Sequence, residues 1–453
     1  MTTTPTTAKL PDTDLQPAPY TGPSRDEVLA LRQEYLNPGL ITYYREPINI
    51  VDGKMQYLWD DTGKRYLDAI AGIVTVSVGH CHPKIVERVR DQVGKLCHTT
   101  TIYLHPTIAQ YGQALAERFP AGSNLKVTYF TNSGSEANDL AILMARMHTG
   151  SFEVISLRNG YHGGSPGTMA LTAHSTWKYP VPSSSGVRYA TPGYCYRCPL
   201  GLEYPSCDIK CASGIEDLIR YETPGQVACF IGEPIQGVGG VVDPPPEYFK
   251  IVYDIVRKYG GLCIADEVQT GFGRTGKHFW GFENWDVVPD MVTMAKGMGN
   301  GAPIGACTTR PEIAKKMADR LHFNTFGGNP VSMIQGLTTL EIIDQDGIQE
   351  NALTVGTHLK NRLLELQDRH PLIGEVRGKG LMLGMELVKD RQTKEPATEA
   401  AADITEEAKN RGLLIGKGGL FGNVLRIKPP MCLTRDDADF IVDCLDEVMQ
   451  SIA

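Results

Sequence analysis

The sequence predicts an α/β protein: a large domain with a mostly parallel sheet flanked by helices, plus a smaller α+β domain. Two observations predict it. Between about Lys126 and Gly301, short apolar runs ending in polar or glycine residues alternate with helical stretches. Such alternation implies a parallel sheet covered on both faces. After about Asn329 a long helical pattern gives way to isolated strand-like runs, which reads as a separate smaller domain. At 453 residues the chain has room for both.

Residues 1–24 are polar and rich in Pro and Thr, a composition that reads as a disordered or extended leader. Residues 25–75 contain QYLWDDTGKRYLDA (Gln56–Ala69), two strand-like runs around a D-x-G turn, which predicts a β-hairpin joining the small domain. The large domain is expected over 76–330. There KVTYFTNSG reads as a strand, and Ala137, Leu140, Ala141, Met144 and Met147 fall at helical spacing in the segment that follows. FEVISLRNG, VACFIGEPI, GLCIADE and DMVTMAKGMGNG read as four further strands, with PEYFKIVYDIVRKYG as a helix among them. Residues 331–453 open on the helical PVSMIQGLTTLEIIDQDG and continue through GLMLGMELV, GLLIGKGG and LRIKPPM as the small domain.

Hydrophobic content is 42%, charged content 21% and formal charge −8, so no basic footprint for nucleic acid exists. The longest apolar run, AIAGIVTVSV, is about half of what a spanning helix needs, so no membrane partner is expected. The N-terminal residues carry no apolar core of a secretory signal, and the expectation is a cytoplasmic protein. Four of eleven cysteines (Cys195, Cys198, Cys207, Cys211) lie in CYRCPLGLEYPSCDIKC, within a loop-like insertion at about 183–214. The spacing suits tetrahedral zinc. A structural zinc or disulfide knot and four free thiols both stay open.

GFGRTGK (Gly271–Lys277) matches a phosphate-loop pattern only superficially, because His278 stands where Ser or Thr would hold magnesium. The stronger signal is a pair at consecutive strand ends: Asp266 in ADE and Lys296 in MAK. A lysine leaving an apolar strand is desolvated, which suits a Schiff-base nucleophile. A buried carboxylate needs a cationic partner, and a protonated pyridine nitrogen is one; a structural Asp–Lys ion pair is the alternative. NSGSEAN (Asn132–Asn138) places small residues between a strand and a helix, where free N–H groups make an anion site; a simple capping turn with Ser135 as cap is the bland reading. Tyr161 in NGYHGG could lie against a planar ring or fill space. Thr325 in FNTFGGNP could reach a phosphate or stabilise a turn. Arg426 in LRIKPPM suits a substrate carboxylate, and Glu233 in EPIQG could pair with it when that carboxylate is absent.

GSEAN, EPIQG, ADEVQTGFGRTG, MAKGMGNG and TFGGNP occur in the order found in class III pyridoxal-phosphate (PLP)-dependent aminotransferases of fold type I, which the chain resembles from about Tyr43 to its end. GIVTVSVGHCHP, NGYHG, HFNTFGGNP and VRGKGLMLG look most like the alanine–glyoxylate / (R)-3-amino-2-methylpropionate–pyruvate branch. The resemblance implies the following roles. Lys296 forms the Schiff base with the cofactor and shuttles the substrate proton, and Asp266 keeps the pyridine nitrogen protonated. Ser133, Gly134 and Ser135 hold the phosphate, helped by Thr325 of a neighbouring subunit. Tyr161 stacks on the ring, with His162 beside it, and Gln269 bonds near the phenolic oxygen. Arg426 takes the keto-acid carboxylate, with Glu233 as its switchable partner. Tyr43, Tyr44, Ile73 and Val74 are expected to wall the substrate pocket, and no metal takes part.

The expected reaction moves an amino group from a small amino acid, ω-amino acid or amine to pyruvate or glyoxylate by a ping-pong mechanism, in a homodimer or dimer of dimers. YHGGSPG lacks the arginine that ornithine-type members carry after the stacking aromatic, which argues against ornithine. The alternatives are a PLP-dependent phospholyase acting on an amino-alcohol phosphate and, resting on the cysteines alone, a zinc-binding module.

Overall fold

The computed structural model describes residues 8–452; the first seven residues of the expected leader lie outside it. Residues 8–24 contain no helix or strand, and Ala8, Leu10 and Leu15 pack against the core. Ser24 then caps the helix Arg25–Tyr35 in a reciprocal bond with Glu27.

Strands β1 (Ile50–Lys54), β2 (Tyr57–Asp60) and β3 (Arg65–Asp68) form an antiparallel meander around the D-x-G turn. The large sheet holds β4 (Val127–Thr131), β5 (Val154–Leu157), β6 (Val187–Ala190), β7 (Cys229–Gly232), β8 (Leu262–Asp266), β9 (Met291–Met294) and β10 (Gly305–Thr309), in the order β4-β10-β9-β8-β7-β5-β6. Only β10 runs against the other six, pairing antiparallel with β4 and β9. Both faces are covered. Cys229 and Ile231 of β7 join Leu140 and Met144 of helix Gly134–Thr149 on one face. Phe230 between them joins Val252 and Tyr253 of helix Tyr248–Lys258 on the other, the alternation that a doubly covered strand requires.

β6 and β10 are absent from the sequence reading for physical reasons. β6 is the four-residue VRYA, and loop composition surrounds it. β10 is GACTT, buried throughout because its residues are small rather than apolar, so hydrophobic pattern is silent there.

The smaller sheet domain holds β11 (Ile373–Lys379), β12 (Met382–Leu387), β14 (Gly416–Gly418) and β15 (Val424–Ile427) in the antiparallel order β11-β12-β15-β14. Helices Ile348–Arg369 and Arg435–Ile452 pack with it. β13 (Leu413–Leu414) leaves this group to pair parallel with β3, so the N-terminal hairpin and C-terminal third share a sheet.

The cysteine-bearing segment is no loose surface insertion. Tyr194 and Arg197 both bond Glu386 of β12, and Lys394 Nζ donates to the Tyr196 carbonyl. All four thiols are free, and no group of three metal-ligating side chains is gathered among the described residues. Burial, reinforced by the nearby Cys211, Cys207 and Cys198 thiols, pushes the Cys195 thiol up to about 11, so it stays protonated at neutral pH.

Candidate active site

A cleft opens at the carboxyl ends of β4, β5, β7, β8 and β9, where parallel sheets place their ligands. Lys296 enters it two residues past β9. Its backbone turns left-handed (φ 46°), which ends the strand. Burial lowers the pKa of its amine against the opposing pull of Asp266 and Glu233, so a larger fraction is uncharged and nucleophilic.

Asp266, the last residue of β8, is 3% exposed. Its Oδ2 accepts from Asn138 Nδ2 at 2.9 Å and lies 2.7 Å from His162 Nδ1, while Oδ1 accepts from the Val268 N–H at 3.1 Å. Burial disfavours the charged form of His162, yet the bond and charge of Asp266 outweigh it and raise the imidazole pKa. His162 Nε2 is buried without a partner. The carboxylate is thus oriented on two sides and keeps lone-pair capacity for a cationic N–H donor in the cleft.

Helix Gly134–Thr149 points its N-terminus at the same cleft. The sequence predicts the cap at Ser135; the structure puts it two residues earlier, at Ser133, whose Oγ accepts from the Glu136 N–H at 3.2 Å. This shift matters chemically. The Gly134 and Ser135 N–H groups then find no acceptor among the described residues and stand free for an anion. Ser135 Oγ instead accepts from the Gly164 N–H at 3.2 Å. A Cβ on Gly163 (φ 134°) would sit 2.4 Å from that oxygen, so only glycine lets the two loops meet.

Tyr161 lines the cleft edge-on to Trp177, ring centroids 5.6 Å apart. Glu233 is 4% exposed, and both its oxygens are engaged: Oε1 by the Tyr161 N–H at 3.0 Å, Oε2 by the Gly237 N–H at 2.8 Å. Its carboxylate makes no ion pair with Arg426, although its charge works against the fall in the Arg426 pKa. The Arg426 guanidinium reaches the Gly237 carbonyl at 3.5 Å and interacts with the Tyr43 hydroxyl, while its Nε is buried without a partner. Burial lowers its pKa, and the guanidinium keeps unused donors for a carboxylate.

The remaining expected residues separate. Tyr43 stands beside Arg426 and contacts the Lys417 N–H, whereas Tyr44 is a core residue, 8% exposed, packed with Tyr66 and Leu414 rather than walling the cleft. Thr325 is exposed and outside the cleft of its own chain. Val74 is buried, and Ile73 is 56% exposed. Ala71, Gly72, Ile73 and Val74 all have positive φ, forming one left-handed turn closed by Val74 N–H to Ile70 O at 2.9 Å. A β-branched residue there carries strain of about 1–2 kcal/mol. Ile73→Gly is expected to raise stability by about 1 kcal/mol on relief of that strain; a fall in the denaturation midpoint would show that the exposed side chain matters more.

Sequence reasoning missed Lys428. It is 2% exposed and donates to Gln269 Oε1 at 2.9 Å and to the Gly237 carbonyl at 3.2 Å. Its one signal was a lysine embedded in the apolar LRIKPPM beside Arg426. Asn138 was likewise passed over, although GSEAN contains it.

Together these groups line one cleft with free amide donors at a helix start, a buried carboxylate and a buried amine of lowered pKa. A planar cationic heterocycle bearing an aldehyde and an anionic tail matches that donor set.

Comparison with known proteins agrees. The sequence profile of the family Aminotransferase class-III matches residues 42–449. An Arabidopsis thaliana alanine–glyoxylate aminotransferase 2 homolog 2, mitochondrial, is 52% identical over 98% of this chain and 92% of its own. The Homo sapiens alanine–glyoxylate aminotransferase 2, mitochondrial, is 43% identical over 97% and 89%. Among solved structures, an amine transaminase from an uncultivated Pseudomonas species in its PLP-bound form superposes with TM-score 0.87 at 30% identity, covering 93% of this chain and 99% of that one. A phospholyase from Arthrobacter in complex with phosphoethanolamine does so at 0.87 and 32%, covering 94% and 100%. The mitochondrial relatives overturn the cytoplasmic expectation. That expectation rested on a missing apolar signal core, which bears on secretion and says nothing about mitochondrial import. The cleft, the order of its motifs and these likenesses agree: this chain belongs to the class-III aminotransferases and is a PLP-dependent aminotransferase that moves an amino group from an amino donor to a keto acid.

Proposed function

We propose that the donor is a small amino acid, ω-amino acid or amine and the acceptor pyruvate or glyoxylate, exchanged by a ping-pong mechanism. The observation that carries this reading is Arg426, with its buried, unpartnered Nε beside the Lys296 cleft: one fixed guanidinium is what a small 2-oxo acid needs. PLP, when bound, supplies the electron sink that makes the substrate's α-proton removable. The chain's own residues do the rest. Gly134 and Ser135 bind the phosphate through their free N–H groups, with Ser133 holding the helix start in place. Tyr161 covers the ring. Asp266, fixed by Asn138 and His162, holds a proton on the pyridine nitrogen, and the Lys296 amine carries the substrate proton as base and then acid. Glu233, its oxygens on backbone amides, is free to turn toward Arg426 only if it gives those bonds up.

A homodimer completes the site in this reading. Leu104 and Leu321 are fully exposed, with Ile102, Tyr103 and Phe326 exposed nearby in sequence. Exposed apolar side chains of that kind fit a partner subunit, and Thr325, itself exposed, is the neighbour of Phe326 in the chain.

The test is a panel of donors (alanine, β-alanine, 4-aminobutyrate, 3-aminoisobutyrate) against pyruvate and glyoxylate, with inorganic phosphate assayed alongside phosphoethanolamine. Keto-acid-dependent turnover without phosphate release is expected. Phosphate and ammonia released without any keto acid would establish the phospholyase instead.

A further inference from the structure

Lys428 is a buried amine with no place in the reaction just described, and burying it is costly unless it has a task. Its surroundings are specific. The amine has two acceptors, Gln269 Oε1 at 2.9 Å and the Gly237 carbonyl at 3.2 Å. The charged groups that face it are Arg426, Glu233, Lys296 and Arg274. Burial first, then the three cations, lower its pKa well below the ordinary lysine value, with Glu233 opposing. Two of its N–H groups are thus met by fixed acceptors.

The other face of Gln269 is constrained as well. A Cβ on Gly237 would fall 2.3 Å from Gln269 Oε1 and 2.6 Å from its Nε2, so the glycine lies flat against the amide. Gln269 is 5% exposed and lines the Lys296 cleft. With its oxygen committed to Lys428, only its N–H2 group is left to face the cleft. A flipped amide would set N–H against N–H and leave the oxygen toward the cleft.

We propose that Lys428 is a positioning residue: with Gly237 it locks the Gln269 amide so that its N–H2 donates into the cleft, toward the phenolic oxygen of bound PLP. This deepens the PLP reading and rests on it. A donor on that oxygen draws off negative charge that would otherwise hold the proton of the neighbouring Schiff-base nitrogen, so its loss raises the pH at which that proton leaves. One charge-assisted hydrogen bond corresponds to about one pH unit.

The experiment is a pH titration of the visible absorbance of the holoenzyme, with bound PLP quantified in each variant. Lys428→Met keeps the length and removes the donor; its midpoint is expected to rise by about one unit with PLP content unchanged. Gln269→Leu should give the same rise, and the double variant no more than Gln269→Leu alone. No shift in Lys428→Met overturns the proposal. So does an equal further shift in the Gln269→Leu background, because Lys428 would then act through its own charge. Should Lys428→Met fail to fold, Gly237→Ala carries the test: it displaces the amide, and an unmoved midpoint overturns the proposal. A wild-type protein with no PLP band at all would instead sink the PLP reading itself.

Discussion

Lys296→Ala is expected to lower kcat by at least about a thousandfold and to abolish the visible band of the bound cofactor. Lys296 is the buried amine that lines the same cleft as Asp266 and the free Gly134 and Ser135 N–H groups. It would both join the cofactor and move the proton, so one substitution removes two functions. The other buried amine nearby, Lys428, cannot stand in, since its donors are committed to Gln269 and Gly237. Single-turnover spectra check the result, and partial rescue by added small amines would separate lost proton transfer from lost folding. Colour and turnover both surviving would refute the assignment.

Glu386→Leu is expected to destabilise the fold by about 3–5 kcal/mol. Glu386 is 1% exposed and receives Arg377 Nη1 at 2.7 Å together with the Tyr194 hydroxyl and Arg197 Nε. Arg377 is also buried and donates to the Gly240 carbonyl from Nε at 3.0 Å and Nη2 at 2.7 Å. Removing the carboxylate strands two guanidiniums in a poorly hydrated place, with only Glu375 left beside Arg377. Denaturant unfolding at fixed cofactor concentration measures the loss. The triple change Glu386→Leu, Arg377→Met and Arg197→Met should recover much of it, because the cost arises from the unpaired charges. A triple variant as unstable as the single one would refute that account. The sign of the pH dependence follows. Burial works against the Glu386 carboxylate, but Arg377, Tyr194 and Arg197 outweigh it and depress its pKa. Its contribution is therefore complete above the ordinary carboxylate range, near 4.5, and is lost as pH falls through the folded-state value.

Much of the fold was legible because fully buried, mostly apolar strands announce themselves even when short. β5, β7, β8 and β9 are runs of apolar residues, and the chemistry at Asp266 and Lys296 was readable from their ends. β10 was not, because GACTT buries itself by being small. Ser133 rather than Ser135 is the cap because Gly134 already has helical geometry, a two-residue boundary shift that composition does not resolve. Tyr44 was expected in the pocket and belongs to a core cluster: it lies in a bend with its ring edge-on to that of Tyr43, centroids 5.3 Å apart, and an irregular segment carries no period that tells which of two adjacent tyrosines faces the core.

The sequence by itself determined the α/β class, the residue types at the strand ends and, through five ordered motifs, the family. These are local properties, written in runs of a few residues and in their order. The tertiary structure alone decided which polar atoms are already spent and which are left over. It engaged both oxygens of Glu233 on backbone amides, left Arg426 Nε without a partner, and set Lys428 against Gln269. Those outcomes depend on hydrogen bonds between segments far apart in the chain, and no local pattern encodes the angle at which two distant segments meet.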